Sequence, residues 1–280
     1  MSNEIVKFSN QFNNQALRRF NAVHLDLLMA IASKVRDKGT SEVAFTFDDL
    51  RKLIHDKYNL TNVEFAKKII ETNERLIMLH FMFRDGSKTI QFPLFTEFET
   101  DERAATLKVK VNEKFAFLLN DLTSEFTRFE LEQFAELKSS YAKECFRRLK
   151  QYRQTGVWKV SLEDFRRLLD VPKSYTTTNF NKFVLQPILD ELEPVVHLRI
   201  KKVYQKKGSG RGRSSLVGLE FYFDRELTPK QSEKVVEQQM RQPRHEEQDS
   251  QKIDMDTFMA ANDGRTPRQQ ARWLAEQEQK

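Results

Sequence analysis

Between Lys173 and Gln186 the chain gathers side chains able to read the edges of DNA bases. Lys173 and Tyr175 lead, and Thr176, Asn179, Asn181, Lys182 and Gln186 follow. A carboxamide can bond adenine through two atoms at once, and a lysine ammonium suits guanine or a phosphate. Phe180, Val184 and Ile188 recur at helical spacing in the same stretch, so a helix here would bury those three and turn the polar set outward. Any solvated helix has a polar face. This one follows directly on a short capped segment, Ser161–Leu169, and the second helix of such a pair enters the major groove with its early residues at the bases.

Three further groups of residues could hold a polyanion. Arg199–Arg213 contains Arg199, Lys201, Lys202, Lys206, Lys207, Arg211 and Arg213, with no acid and three glycines. Glycine lets such a loop turn tightly, and its cations can follow a phosphate backbone or enter a minor groove. On the stretch KSSYAKECFRRLKQYR, Lys138, Lys143, Arg147, Arg148, Lys150 and Arg153 stand against Glu144 alone. Arg147, Lys150 and Arg153 are expected to touch phosphates. In the first half, Asn62, Lys67 and Lys68 occupy the matching helix, diluted by Glu64 and Glu71, so weaker DNA contact is expected there.

No catalytic constellation accompanies these groups. His24, His55, His80, His197 and His245 never fall in HxH or HExxH spacing, GxxxxGK[ST] is absent, and no histidine pair equips a tyrosine for strand nicking. Asp254 and Asp256 lie in a polar tail, and Cys145 sits on an apolar stripe. The chain is expected not to be an enzyme, and to need no metal or other cofactor.

The elements that would position these residues come in duplicate. TFDDLRKLI, Thr46–Ile54, reappears 115 positions later as SLEDFRRLL, Ser161–Leu169, and Phe65, Lys67 and Ile69 meet Phe180, Lys182 and Val184 at the same offset. So long a unit means two similar domains and not a solenoid, whose periods are roughly 20–50 residues. In the first half a long helix is expected from about Asn14 to Lys38. A short helix capped by Thr46 and Asp49 follows, then a third opening on the capping box Thr61 and Glu64. Strands Leu76–Phe83 and Thr89–Phe95 pair across Asp85-Gly86, followed by a strand at Leu107–Val111 and a helix at Glu113–Leu119. The second half repeats the order with a helix over Ser139–Arg153, a short helix at Ser161, and a third beginning within Thr176–Thr178 that Pro187 should kink or end. Strands Val196–Ile200 and Leu219–Phe223 complete it. Helix, short helix, helix and hairpin make a winged helix.

Composition fits this plan. A chain of 280 residues suits about two domains, and 23 Phe supply core material. From Glu226 onward 9 Lys and Arg face 11 Asp and Glu, a net of −2, which leaves +8 of the total +6 on the preceding 225 residues. That excess favours an anionic partner. One cysteine makes no disulfide framework, the N-terminus lacks a signal-peptide core, and no apolar run approaches a membrane span. A reducing, cytoplasmic setting away from membranes is expected.

The segment Phe146–Glu193, FRRLKQYRQTGVWKVSLEDFRRLLDVPKSYTTTNFNKFVLQPILDELE, closely resembles the iteron-binding replication initiators of theta-replicating plasmids. LKQYR-x-x-G-x-W, E-x-[FL]-R-x-L-L and F-N-x-x-V-L-x-P-x-x-x-E-L form an ordered set. The likeness continues more loosely over about Ile5–Phe223 and leaves the tail without a counterpart. It implies two winged-helix domains that bind direct repeats of an origin as a monomer, with DNA contact on the second domain's third helix and wing. It also implies a homodimer, formed through the first domain and in equilibrium with the monomer, that binds an inverted operator and represses its own gene. DNA bending, recruitment of the host initiator and helicase, chaperone-assisted dimer dissociation as one option, and no need for nucleotide or metal are further implications.

The expected fold is therefore α+β and mainly helical: two tandem winged-helix domains related by internal duplication, plus a tail. Residues 1–123 form the first domain, with dimerisation and weaker DNA contact, and 124–226 the second, with the main DNA-binding surface. Residues 227–280 form a mobile charged tail. The expected function is initiation of plasmid replication through sequence-specific binding of double-stranded DNA. A winged-helix transcriptional repressor and a rolling-circle nicking enzyme are the competing readings.

Overall fold

In the computed structural model, which describes residues 4–17, 19–85, 87–113, 119, 122, 125–205 and 214–226, the first half opens with a strand. Strand β1, Ile5–Ser9, leads into a 3-10 turn, Asn10–Asn14, and only then into helix α1, Ala22–Val35. The helix expected from Asn14 thus starts eight residues later. Asn21 caps it by accepting from the His24 N–H, while His24 Nδ1 accepts from the Asn21 N–H at 3.2 Å. Burial and the nearby Arg75 cation push the His24 pKa down to about 4, which keeps its ring neutral and Nδ1 free to accept.

Strand β2, Val43–Thr46, then precedes α2, Phe47–Leu53, and α3, Asn62–Ile77. Thr46 and Thr61 cap these two helices as their spacing predicts, the second through a full capping box with Glu64. The expected hairpin forms from β3, His80–Asp85, and β4, Lys88–Pro93, but as a separate two-stranded ribbon. The first domain's wing lies further on. Strands β5, Phe95–Asp101, and β6, Thr106–Val111, make the hairpin that completes a three-stranded sheet in the order β2-β6-β5. Its acidic strand holds because each Glu stands opposite a lysine: Glu99 meets Lys108 and Glu97 meets Lys110, both at 2.8 Å.

The second half begins with β7, Phe126–Glu130, and α4, Leu131–Glu136, then α5, Ser140–Gln151. Strand β7 pairs antiparallel with β1, Phe129 opposite Val6, so a two-stranded sheet spans the boundary expected at residue 123. Next come β8, Val157–Ser161, and α6, Leu162–Leu168, capped by Ser161. Helix α7, Thr177–Phe180, continues through a π-helical turn, Asn181–Leu185, into α8, Gln186–Val196. Pro187 follows closely on the π turn, and the helix runs on past it without stopping. Strands β9, Arg199–Gln205, and β10, Ser215–Tyr222, close a sheet ordered β8-β10-β9, the same arrangement as β2-β6-β5.

The duplication extends to the packing. In the first domain the Arg51 guanidinium lies 4.3 Å from the Phe65 ring and bonds the Leu60 carbonyl at 2.8 Å. In the second, Arg166 lies 4.8 Å from Phe180 and bonds the Tyr175 carbonyl at 3.2 Å. Each arginine staples the short helix to the loop entering the third helix. Phenylalanines fill both cores: Phe47 meets Phe65 edge-on at 5.6 Å, and Phe165 meets Phe180 edge-on at 5.8 Å. Gly156 turns the chain into β8 at φ +68°, and a Cβ there would sit 2.7 Å from the Phe223 carbonyl oxygen, so glycine is required.

Candidate nucleic-acid interface

Helix α7 begins where Thr176 Oγ1 accepts from the Asn179 N–H at 3.3 Å. Phe180, Val184 and Ile188 are buried, and Thr177, Thr178, Lys182, Phe183 and Gln186 are exposed. Lys173, Thr176 and Lys182 therefore stand outward as their spacing predicts. Tyr175 and Asn179 are half-buried at the edge of that face. Asn181 departs from the expectation: it is half-buried, and its Oδ1 is enclosed without a hydrogen-bond partner. The π turn adds a residue to the helical repeat here, so Asn181 rotates toward the core side. Gln186 donates to Asp190 Oδ1 at 2.6 Å along its own helix. Among the described residues no carboxylate lies within ion-pair distance of Lys173 or Lys182, which leaves both charges available to an external anion.

The wing is described up to its loop. Lys201 and Lys159 each approach Glu220 at 3.3 Å, and Glu220 is held down at about 2, first by the Tyr222 hydroxyl and then by these lysines. Lys206, Lys207, Arg211 and Arg213 lie outside the described residues.

Helix α5 corrects the sequence reading. Arg147, expected at a phosphate, is fully buried. Its guanidinium grips Glu144 at 2.8 and 3.0 Å and also bonds Asn13 Oδ1 at 2.9 Å and the Gln15 carbonyl at 3.0 Å. Arg148 is buried beside it, bonded to Glu144 Oε2 at 2.7 Å, and burial lowers its pKa to about 10. Burial alone would raise the Glu144 carboxyl, but the two guanidinium groups outweigh it and hold it low. Lys150 and Arg153 are also engaged: Lys150 Nζ meets Glu226 at 2.5 Å, and Arg153 donates to the Phe126 carbonyl at 3.0 Å. Lys143 reaches Asp26 of α1 at 2.5 Å, and Lys57 and Tyr58 bond the same carboxylate at 2.9 and 2.5 Å. Removal from water lowers the Lys143 pKa to about 8. Lys143, Arg147 and Arg148 thus tie the two halves together and are withdrawn from the DNA-facing set, while Lys150 and Arg153 are engaged within the second half. Asp26, within the apolar run AVHLDLLMAIA, was the available signal, because a carboxylate there must find a buried cation.

The first domain's candidates divide. Lys67 is exposed with no carboxylate partner among the described residues. Lys68 is paired with Glu71 at 2.8 Å, and Asn62 Oδ1 accepts from Arg51 at 3.1 Å. Val63 on α3 and Met78 just past its end are each 74% exposed, with Ile70 and Ile77 also open on the helix, so the surface around Lys67 is partly apolar.

Two family models together cover most of the chain. Residues 5–150 match the family model described as "Initiator Replication protein, WH1", and residues 161–223 match "Initiator Rep protein, WH2". A "Probable replication protein rep" of Bifidobacterium longum (strain NCC 2705) is 58% identical over 231 residues, spanning 82% of this chain and 75% of that one. The solved structure of "Pi initiator protein in complex with iteron DNA" superposes with a TM-score of 0.61 at 14% identity, covering 81% of this chain and 100% of that one. At that identity the likeness concerns the fold.

Proposed function

Because the chain belongs to the replication initiator family with paired winged-helix domains, we propose that it starts replication of a plasmid by binding direct repeats in the origin. The observation that carries this is the exposed face around α7, where Lys173 and Thr176 ahead of the helix, Thr177 and Thr178 in its first turn and Lys182 in the π turn stand outward, with both lysines free of carboxylates among the described residues. Laid in a major groove, Lys182 and Asn179 read bases while Lys173 and the wing cations Lys206, Lys207, Arg211 and Arg213 hold phosphates. Helix α3 makes a lesser contact through Lys67, one helical turn away, about 34–36 Å along the duplex. The buried tie between α1 and α5 keeps the two domains in one orientation, so both engage a single duplex. The solved relative's complex with iteron DNA supports this mode of binding.

Two finer steps belong to the same proposal. A homodimer through the first domain binds an inverted operator and represses the chain's own gene, in equilibrium with the monomer that initiates. Host initiator and helicase are then recruited to the opened origin, and the protein works through binding, without catalysis or cofactor.

A binding titration on the direct repeats beside its own gene tests the proposal. Binding at least ~10³-fold tighter than to unrelated duplex is expected, with log affinity falling linearly as log salt rises. Equal affinity for both duplexes would reject it.

A further inference from the structure

We propose that Phe183 is a specificity residue that reads thymine, seating its ring against the C5 methyl group in the major groove. The inference rests on α7 entering that groove, as proposed above, and assigns a base preference to a residue that spacing alone did not single out.

Phe180, three residues earlier, is 1% exposed and Phe165 beneath it is 0% exposed, whereas Phe183 leaves 45% of its surface open. It lies inside the π turn, where the Gln186 N–H reaches back to the Asn181 carbonyl. The residue added by such a turn re-aims its neighbours, and these turns recur at functional sites. A lone exposed apolar side chain is ordinary on a protein surface, but this one is held in place. The Tyr175 ring packs against it at 6.0 Å, and the Tyr175 carbonyl is itself fixed by Arg166 at 3.2 Å. On its other side the Lys182 ammonium lies 5.3 Å from the ring centroid. The ring is thus presented beside the cation expected at a base or phosphate.

The major-groove edges of the bases offer one apolar group, the thymine methyl, and an apolar side chain is what recognises it. The duplicate helix has no aromatic ring at the equivalent position. Lys68 stands 115 positions before Phe183 and is bound to Glu71. The two halves therefore carry different recognition chemistry on one frame, as two unlike segments of a repeat would require.

The test uses the full chain and the repeat duplex beside its own gene, made once with thymine and again with deoxyuridine at single positions. At the contacted thymine, loss of the methyl should weaken binding by the native protein about fourfold, the ~0.8 kcal/mol of one buried methylene-sized group. Phe183→Ala should bind the two duplexes alike. Phe183→Leu, which remains apolar, should retain a reduced preference. Native protein indifferent to every such substitution, or Phe183→Ala with its thymine preference intact, would overturn the assignment. An undiminished preference in Phe183→Leu would do the same. Failure of the native protein to bind the repeats in either form would overturn the initiator reading as well.

Discussion

Replacing Arg147 with methionine separates a structural role from a DNA-binding one. Methionine fills much of the same space but donates no hydrogen bond. Five are lost: two to Glu144, one to Asn13 Oδ1, and one each to the Phe12 and Gln15 carbonyls. Glu144 keeps Arg148 at 2.7 Å, which argues for the lower part of the range for breaking a buried ion pair, about 3–5 kcal/mol. In a unit of this size each 1 kcal/mol moves the melting temperature by roughly 2–4 °C, so a loss of about 3–4 kcal/mol should lower it by about 6–16 °C. Urea unfolding gives the free energy. A salt titration of DNA binding, done below the variant's transition, gives the number of phosphate contacts. Lowered stability and an unchanged salt slope are expected. Native stability together with a slope shallower by about 1, the loss of a phosphate contact, would refute it.

Two other outcomes follow from the same geometry. Lys182→Ala removes an exposed side chain, so stability should stay within ~0.5 kcal/mol while specific binding weakens by ~1–3 kcal/mol. Equal weakening on specific and unrelated duplex would make Lys182 a phosphate contact instead. His24, held near 4 against an ordinary 6.5, takes up its proton in the unfolded chain first as pH falls. Stability should therefore decline between about pH 6.5 and 4, by up to roughly 3 kcal/mol. His24→Gln, which can still complete the capping box, should flatten that decline in unfolding measured across the window, and an unchanged profile would count against it.

The parts legible in the sequence are the local ones. Thr46, Ser161 and Thr61 announced three helix starts, because a capping residue and its target lie three residues apart, with a fourth start expected within Thr176–Thr178. The apolar stripes of α3 and α7 followed from helical period, and the 115-residue offset implied a shared frame that the paired arginines Arg51 and Arg166 bear out. Long-range pairings stayed hidden. The pairing of β1 with β7 joins Val6 to Phe129, and no local pattern reports it. Sequence reading gives the acid-rich strand Phe95–Asp101 no element of its own, because what holds it is Lys108 and Lys110 standing opposite its glutamates. Within the candidate site, outward positions such as Lys182 were readable from period. The burial of Arg147 was not: Asp26 calls for a buried cation and finds Lys143, but nothing local points Arg147 to Asn13. The π turn, which moves Asn181 inward and leaves Phe183 exposed, likewise has no signature in residue spacing.

Chemical protection of guanine N7 along one origin repeat tests most directly whether both domains lie on a single duplex. With the native chain bound, two protected major-groove segments are expected, their centres about 10–10.5 base pairs apart. Lys182→Ala should weaken protection at one of them and Lys67→Ala at the other. A single protected segment, or two that respond together to Lys182→Ala alone, would contradict the account.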